Sequence, residues 1–399
     1  MRFLSFLLPA LIIAAPHVRT DFDGGSLDKV ERVSDTHFRL SVKGETDQAG
    51  RNRQATWYFF RVDNAGRSEM IFDMVGLPGE YNFRPNQGAI TDKTPPLISY
   101  DRKTWTHITP VEYDAKEPKL RLKIVPQKST FWIAHTPPYT LDELSALRKD
   151  LLKHKDAREQ VIGKTIGGRD IYVWSIHKGS PAKAVWLMFR QHSWESGSSW
   201  VGEGAVRALL SEEAESRGLR EQIHWKIFPV ADPEGVTRGG VRFNSKGYDL
   251  NRNWDVEDPM AMPEITAQRK AIAEWIKSGS KVELFLSLHN TETSEYLEGP
   301  PDESNPAIKQ LAERFFGALT KDTTFHPSRP LFFAGRTTTE GMKGRMNVVQ
   351  GLYRDFKVPA FLMEQRIAFN EKLKRLPTIE DRLQFGRELV QAIASALLK

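Results

Sequence analysis

Three polar residues stand beside two apolar runs in positions suited to holding a metal ion. His192-Ser193-Trp194-Glu195 follows the run from Ala184 to Arg190, and His289 follows the run from Val282 to Leu288. Two imidazoles and one carboxylate form a zinc ligand set that leaves a fourth position for water, as catalytic zinc requires. Such a site acidifies water from a pKa of 15.7 to about 7. The spacing alone is weak, because a His and a Glu three apart equally suit a surface pair. Placement adds weight: both groups are expected at strand ends, where open α/β sheets bind ligands. His17, His37, His107, His135, His154, His177, His224 and His326 lack this context and read as core or surface residues.

A second constellation lies between them, in Asp249-Leu250-Asn251-Arg252-Asn253-Trp254. The planar guanidinium of Arg252 suits two-point binding of a carboxylate, and Asn251 adds a neutral donor beside it. An isolated Asn-Arg pair reads just as well as an exposed loop with a surface ion pair. Arg242, a few residues upstream, offers a cation for the oxyanion of a tetrahedral intermediate. Glu364 ends the apolar stretch Pro359 to Met363. It suits general acid–base work near an acidified water, or equally an ion pair with Arg366 on the sheet rim. A zinc set beside a carboxylate clamp points to metal-assisted hydrolysis at the end of a peptide chain.

The 399-residue length suggests two domains, and 40% hydrophobic content is enough for a packed core. The net charge of +6 is spread along the chain, with no basic run interleaved with aromatics. Nucleic acid is therefore not expected as a partner. The absence of cysteine excludes disulfides, thiolate nucleophiles and zinc–thiolate sites. Met1-Arg2 followed by an apolar run from Phe3 to Ala15 matches an export leader, which a frayed apolar tail would also explain. The run is too short for a membrane span, and the expected location is secreted or periplasmic.

These side chains need elements to position them. Residues 21–138 read as an all-β sandwich. Thr56 to Val62 and Met70 to Val75 are rich in β-branched and aromatic residues, and Lys119 to Val125 alternates at period two as far as Ile124. Pro137-Pro138 marks the boundary, and Thr140 with Glu143 forms a capping-box signature for a helix to Lys153. From 139 to 399, strands (Asp170–Ile176, Ala184–Arg190, Ile223–Val230, Val282–Leu288, Pro359–Met363) alternate with helices (Val201–Leu210, Pro263–Ser278, Glu303–Leu319, Glu380–Leu398). That order predicts an α/β domain with a mixed central sheet flanked by helices.

Taken together, His192-Ser-Trp-Glu195, Asp232-Pro-Glu-Gly235, Asp249-Leu-Asn-Arg-Asn-Trp254 and Leu288-His289 resemble the motifs of the zinc metallocarboxypeptidases, the carboxypeptidase A clan. That family's known zinc set is two histidines and a glutamate. Trp57-Tyr-Phe-Phe-Arg61, Ser99-Tyr-Asp-Arg-Lys-Thr-Trp105, Pro138-Tyr-Thr140 and Lys226-Ile-Phe-Pro229 resemble the cytosolic carboxypeptidase, or deglutamylase-like, branch. The resemblance implies that His192, Glu195 and His289 hold one zinc ion. It implies that Arg242 polarises the scissile carbonyl, that Asn251 and Arg252 grip the terminal carboxylate, and that Glu364 activates water. Peptide or protein C-termini are the implied partners. A preference for acidic terminal residues follows from the branch and from Lys343 and Arg345. The sequence departs from the family at Asp232-Pro-Glu-Gly235, where Asn-Pro-Asp-Gly is common. It also departs at Trp194, which is expected to reshape a subsite, and in lacking a clear counterpart of the mobile capping Tyr. Two other readings stay open: a related zinc amidohydrolase acting on acyl amino acids or cell-wall peptides, and a non-catalytic binding module.

Overall fold

The structure is a computed structural model that describes residues 15–50, 52–81, 84–86, 88–335 and 342–398. The N-terminal half is built of strands. In chain order they are β1 (His17–Arg19), β2 (Lys29–Arg32), β3 (His37–Ser41), β4 (Glu45–Thr46) and β5 (Arg53–Gln54). Then come β6 (Phe59–Asp63), β7 (Met70–Val75), β8 (Gly79–Tyr81), β9 (Arg84–Asn86) and β10 (Leu97–Ser99). The last four are β11 (Thr106–His107), β12 (Glu112–Asp114), β13 (Lys119–Ile124) and β14 (Phe131–Ala134). Two five-stranded sheets, β1-β6-β14-β10-β11 and β12-β13-β7-β3-β2, enclose a core that includes Phe38, Phe60, Phe72, Leu122 and Phe131. The alternation expected in β13 is present, with Leu120, Leu122 and Ile124 turned inward. Most of the expected leader falls on residues 1–14, outside the described residues. Its last part does not: β1 lies before the expected 20/21 boundary and pairs with β6.

The second half follows with α1 (Leu141–Lys153), β15 (Ala157–Lys164), β16 (Asp170–Ile176), β17 (Lys183–Phe189), α2 (Ser196–Leu210) and α3 (Ala214–Gln222). Next are β18 (Ile223–Phe228), α4 (Pro233–Arg238), α5 (Pro263–Lys277), β19 (Leu284–Thr291) and β20 (Tyr296–Gly299). It closes with α6 (Pro306–Asp322), β21 (Phe332–Phe333), α7 (Val348–Phe356), β22 (Ala360–Arg366) and α8 (Ile379–Leu398). The eight-stranded sheet has the order β15-β16-β18-β17-β19-β22-β20-β21. Its centre, β18-β17-β19-β22, is parallel, and the outer pairs β15–β16, β16–β18 and β22–β20 are antiparallel. The expected mixed sheet is therefore present. Buried on both faces, a parallel strand reads as a continuous apolar run, which is why β17 is Ala-Val-Trp-Leu-Met-Phe after its first residue. Helices α1, α2, α6 and α8 cover one face, and α5 and α7 the other.

Three differences from the sequence reading have local causes. β19 runs on through His289 to Thr291, and β22 through Glu364 to Arg366, so both site residues lie inside strands rather than beyond them. Polar residues there continue the ladder because the parallel β19–β22 register pairs His289 with Glu364. α2 begins at Ser196 instead of Val201, since its Ser/Gly-rich first turn is buried against neighbouring elements and packing overrides weak propensity. The thirteen-residue α1 starts at the expected capping box, with Thr140 accepting from Asp142 N. Among the described residues, no helix is long and apolar enough to cross a membrane.

Candidate metal centre and active site

The strand β17 ends in a turn that carries two of the predicted ligands. Arg190 adopts a left-handed backbone, φ 57°, and its buried side chain donates to Ser193 O (2.7 Å), Tyr139 O and Ser199 Oγ. Burial lowers its pKa to about 9. The turn is thereby locked between α1 and α2, with His192 inside it and Glu195 at the start of α2. Gln191 Nε2 donates to Leu250 O (2.6 Å), tying this turn to the Asp249–Trp254 loop. His289 arrives from β19. Ligand atoms of His192, Glu195 and His289 all lie within 4.8 Å of one another, and all three residues are buried.

The hydrogen bonds show that this group fits a cation. His192 Nε2 lies 3.1 Å from Asp249 Oδ1, and His289 Nε2 lies 2.9 Å from Ser287 Oγ. Neutral imidazoles donating there turn their Nδ1 lone pairs toward Glu195, whose two oxygens stand 2.7 Å and 2.8 Å away. Lone pairs facing a carboxylate at that range repel unless positive charge sits between them. A divalent ion is such a charge, and partners on the far ring nitrogen are what metal-bound histidines have.

Asp249 is the hub that sequence reasoning left without a role. Beyond His192 it accepts from Arg242 Nε (2.7 Å, on Oδ2) and from Asn251 N (2.8 Å, on Oδ1). Burial opposes its ionisation, but the charge of Arg242 and the hydrogen bond from His192 hold it well below the usual carboxylate range. Its position, three residues before Arg252 and between basic residues in the chain, was the available signal. Ser287 offered none, because a serine in an apolar strand is common.

All seven predicted residues converge. His192, Glu195, Arg242, Asn251, Arg252 and Glu364 line one cleft, with His289 buried directly beneath. Asn251 Oδ1 accepts from Val348 N at the start of α7 (3.1 Å), which leaves its NH₂ group on the side of His289. Arg252 Nη1 donates to Asn251 O (2.8 Å), and Arg252 makes no ion pair among the described residues. Glu364 Oε2 is buried without a hydrogen-bond partner there. Burial pushes the Glu364 carboxyl well up, the charge of Glu195 adds to this, and Arg242 opposes it. Asn290, Thr291, Glu292, Tyr296, Glu298, Asn347 and Leu362 also line the catalytic-domain walls. Lys343 and Arg345 do not line the cleft. Trp194 does, and it shares a buried apolar cluster with Trp57, Phe59 and Ala134 of the β domain. Gln54, Thr56 and Asn86 bring the β domain itself to the cleft.

Comparison with known proteins agrees in both halves. Residues 144–356, just over half of the chain, match the model of the family described as "Zinc carboxypeptidase". Residues 18–135 match the "Cytosolic carboxypeptidase N-terminal domain". Mouse cytosolic carboxypeptidase 6 is 28% identical over 296 residues, covering 68% of this chain and 52% of the mouse protein. The human protein of that name is 26% identical over 293 residues, covering 68% of this chain and 56% of its own. The chain thus spans about half the length of these relatives. Among solved structures, a metallo-carboxypeptidase from Burkholderia cenocepacia shares the fold with a TM-score of 0.80, at 22% identity, over 96% of this chain and 99% of that one.

Proposed function

The chain belongs to the zinc carboxypeptidase family, and from that premise we propose that it hydrolyses the last peptide bond of peptides or proteins, releasing the C-terminal residue. The observation that carries this reading is an ion-pair-free Arg252 in the same cleft as the His192–Glu195–His289 group and a partnerless Glu364 oxygen. His192, Glu195 and His289 would hold the zinc. When bound, zinc supplies Lewis-acid polarisation of the scissile carbonyl and acidifies water. Arg252 and the amide of Asn251 take the terminal carboxylate through charge-assisted hydrogen bonds. Arg242, oriented by Asp249, faces the oxygen that gains charge in the transition state. Glu364 accepts the proton of the attacking water and returns it to the leaving amine.

Of the two grounds for an acidic side-chain preference, the branch resemblance remains, while Lys343 and Arg345 give none because they stand outside the described cleft lining. Once the metal ligands are set aside, Arg252 is engaged with a carboxylate and Arg242 with Asp249, the ionisable groups left in the described lining are Tyr296 and the carboxyls of Glu292, Glu298 and Glu364. Such walls favour neutral or cationic terminal side chains over acidic ones. Export is proposed on the leader-like Met1 to Ala15 alone, and fractionation of producing cells tests it.

The decisive experiment is a peptide digest read by mass spectrometry on zinc-loaded protein. Glu364→Gln is expected to lower kcat about a thousandfold with KM little changed. Unchanged turnover in that variant rejects the assigned role. Small acylated amino acids offered beside peptides separate the amidohydrolase reading, which predicts the faster rate on the former.

A further inference from the structure

Glu45 belongs to the β domain, yet its carboxylate is spent on the catalytic domain. It opens β4, half of the short β4–β5 ribbon. Its Oε2 accepts from three consecutive backbone N–H groups: Val241 (2.8 Å), Arg242 (2.7 Å) and Phe243 (3.0 Å). Its Oε1 accepts from Arg238 Nη1, and the Glu45 side chain is only 11% exposed. Three adjacent donors on one oxygen fix the backbone of that segment in place, because swinging any one peptide away leaves a buried charge short of a donor. A second contact from the same ribbon grips the far side of the loop: Gln48 N donates to Gly247 O (2.9 Å). A side chain on Gly247 would put its Cβ 2.5 Å from Gln48 N, so the approach admits only glycine. The stretch from 241 to 249 is therefore held at both ends by the β domain. Arg242 and Asp249, which bond to each other through Nε and Oδ2, sit at those two ends.

We infer that Glu45 is a positioning residue for the reaction, setting the Arg242 guanidinium against the scissile carbonyl through the backbone of residues 241–243. This rests on the carboxypeptidase reading above. It also gives the β domain a task within the cleft, which its residues Gln54, Thr56 and Asn86 already line. The alternative is that Glu45 only glues two domains together. The two ideas differ in what Arg242 does to the result. If Glu45 acts through Arg242, its loss matters only while Arg242 is present, and coupled residues give non-additive cycles. If it is glue, its loss lowers stability and activity whether or not Arg242 is there.

The test is a double-mutant cycle of Glu45→Ala and Arg242→Ala in the full-length zinc-loaded protein, with kcat, KM and zinc content read for each. Glu45→Ala is expected to lower kcat about tenfold or more, to leave zinc content at one per chain, and to move KM little. In the Arg242→Ala background the same substitution is expected to cost less than twofold. Glu45→Gln keeps an acceptor oxygen for the three N–H groups and is expected to recover most of kcat. It also serves where Glu45→Ala does not fold. A wild-type kcat in Glu45→Ala, an equal loss in both backgrounds, or a Glu45→Gln variant as impaired as Glu45→Ala would overturn the inference. Failure of the wild-type protein to release any C-terminal residue would instead strike the proposed function, so the two failures are separable.

Discussion

At the scale of single residues, the metal centre depends on groups that never touch the ion. Asp249 orients His192, carries Arg242 and caps the Asn251 peptide with one carboxylate. Removing its charge while keeping its shape, as Asp249→Asn does, gives both His192 and Arg242 a weaker partner. Loss of such outer partners typically costs 10–100-fold in metal affinity. Zinc affinity in this variant, measured by competition with a chelator of known strength, is expected to fall by about that factor. An unchanged affinity would mean the Asp249–His192 contact is incidental.

At the scale of elements, α5 carries a price for its position. Its first turn buries Glu264, 1% exposed, whose carboxyl is pushed up to about 7 by burial and then by the nearby charge of Asp232. Asp232 is itself raised to about 6, chiefly by burial. A carboxyl whose pKa is higher in the folded state than in the unfolded chain favours folding while it is protonated. That contribution is complete below the unfolded value near 4.5 and is lost as pH rises through about 7. Glu264→Gln is expected to flatten the fall in stability between those values, by at most about 3 kcal/mol at pH 8. Urea unfolding of both proteins at several pH values checks the slope. A parallel pair of curves rejects it. The contact of α2 with α8 makes a different point: a Cβ on Gly204 would lie 2.0 Å from Leu383 O, and one on Gly386 2.1 Å from Val201 O. These helices meet backbone to backbone, which fixes how α2 presents Glu195.

At the scale of the whole molecule, zinc and fold are linked. A ligand set drawn from the β17–α2 turn and from β19 is assembled only in the folded chain, so an ion bound there stabilises it by mass action, about 4 kcal/mol at a thousand times Kd. Exhaustive chelation is expected to abolish hydrolysis and lower the melting temperature, with both restored by added zinc. A melting temperature indifferent to chelator would show that the triad does not hold the metal. The β domain is joined to the same site by Glu45, by the His135–Trp194 ring contact and by the cleft residues Gln54 and Thr56.

Sequence alone determined the mixed α/β sheet after a β domain, because hydrophobic period is a local property. Residue type and expected placement at strand ends picked out the candidate ligands, clamp and base, and only the resemblance to the zinc carboxypeptidases gave them roles. The capping box of α1 and the inward face of β13 were legible because they too are local. Only the tertiary structure decided which groups support the site. Glu45 lies about two hundred positions from the peptides it holds, and no periodicity links them. Lys343 and Arg345 were near Glu364 in the chain but not in the cleft, while Glu298 reached it from β20 by pairing with Leu362. Electrostatic environment depends on distance through space, and in this chain that distance is set by sheet order and domain contact.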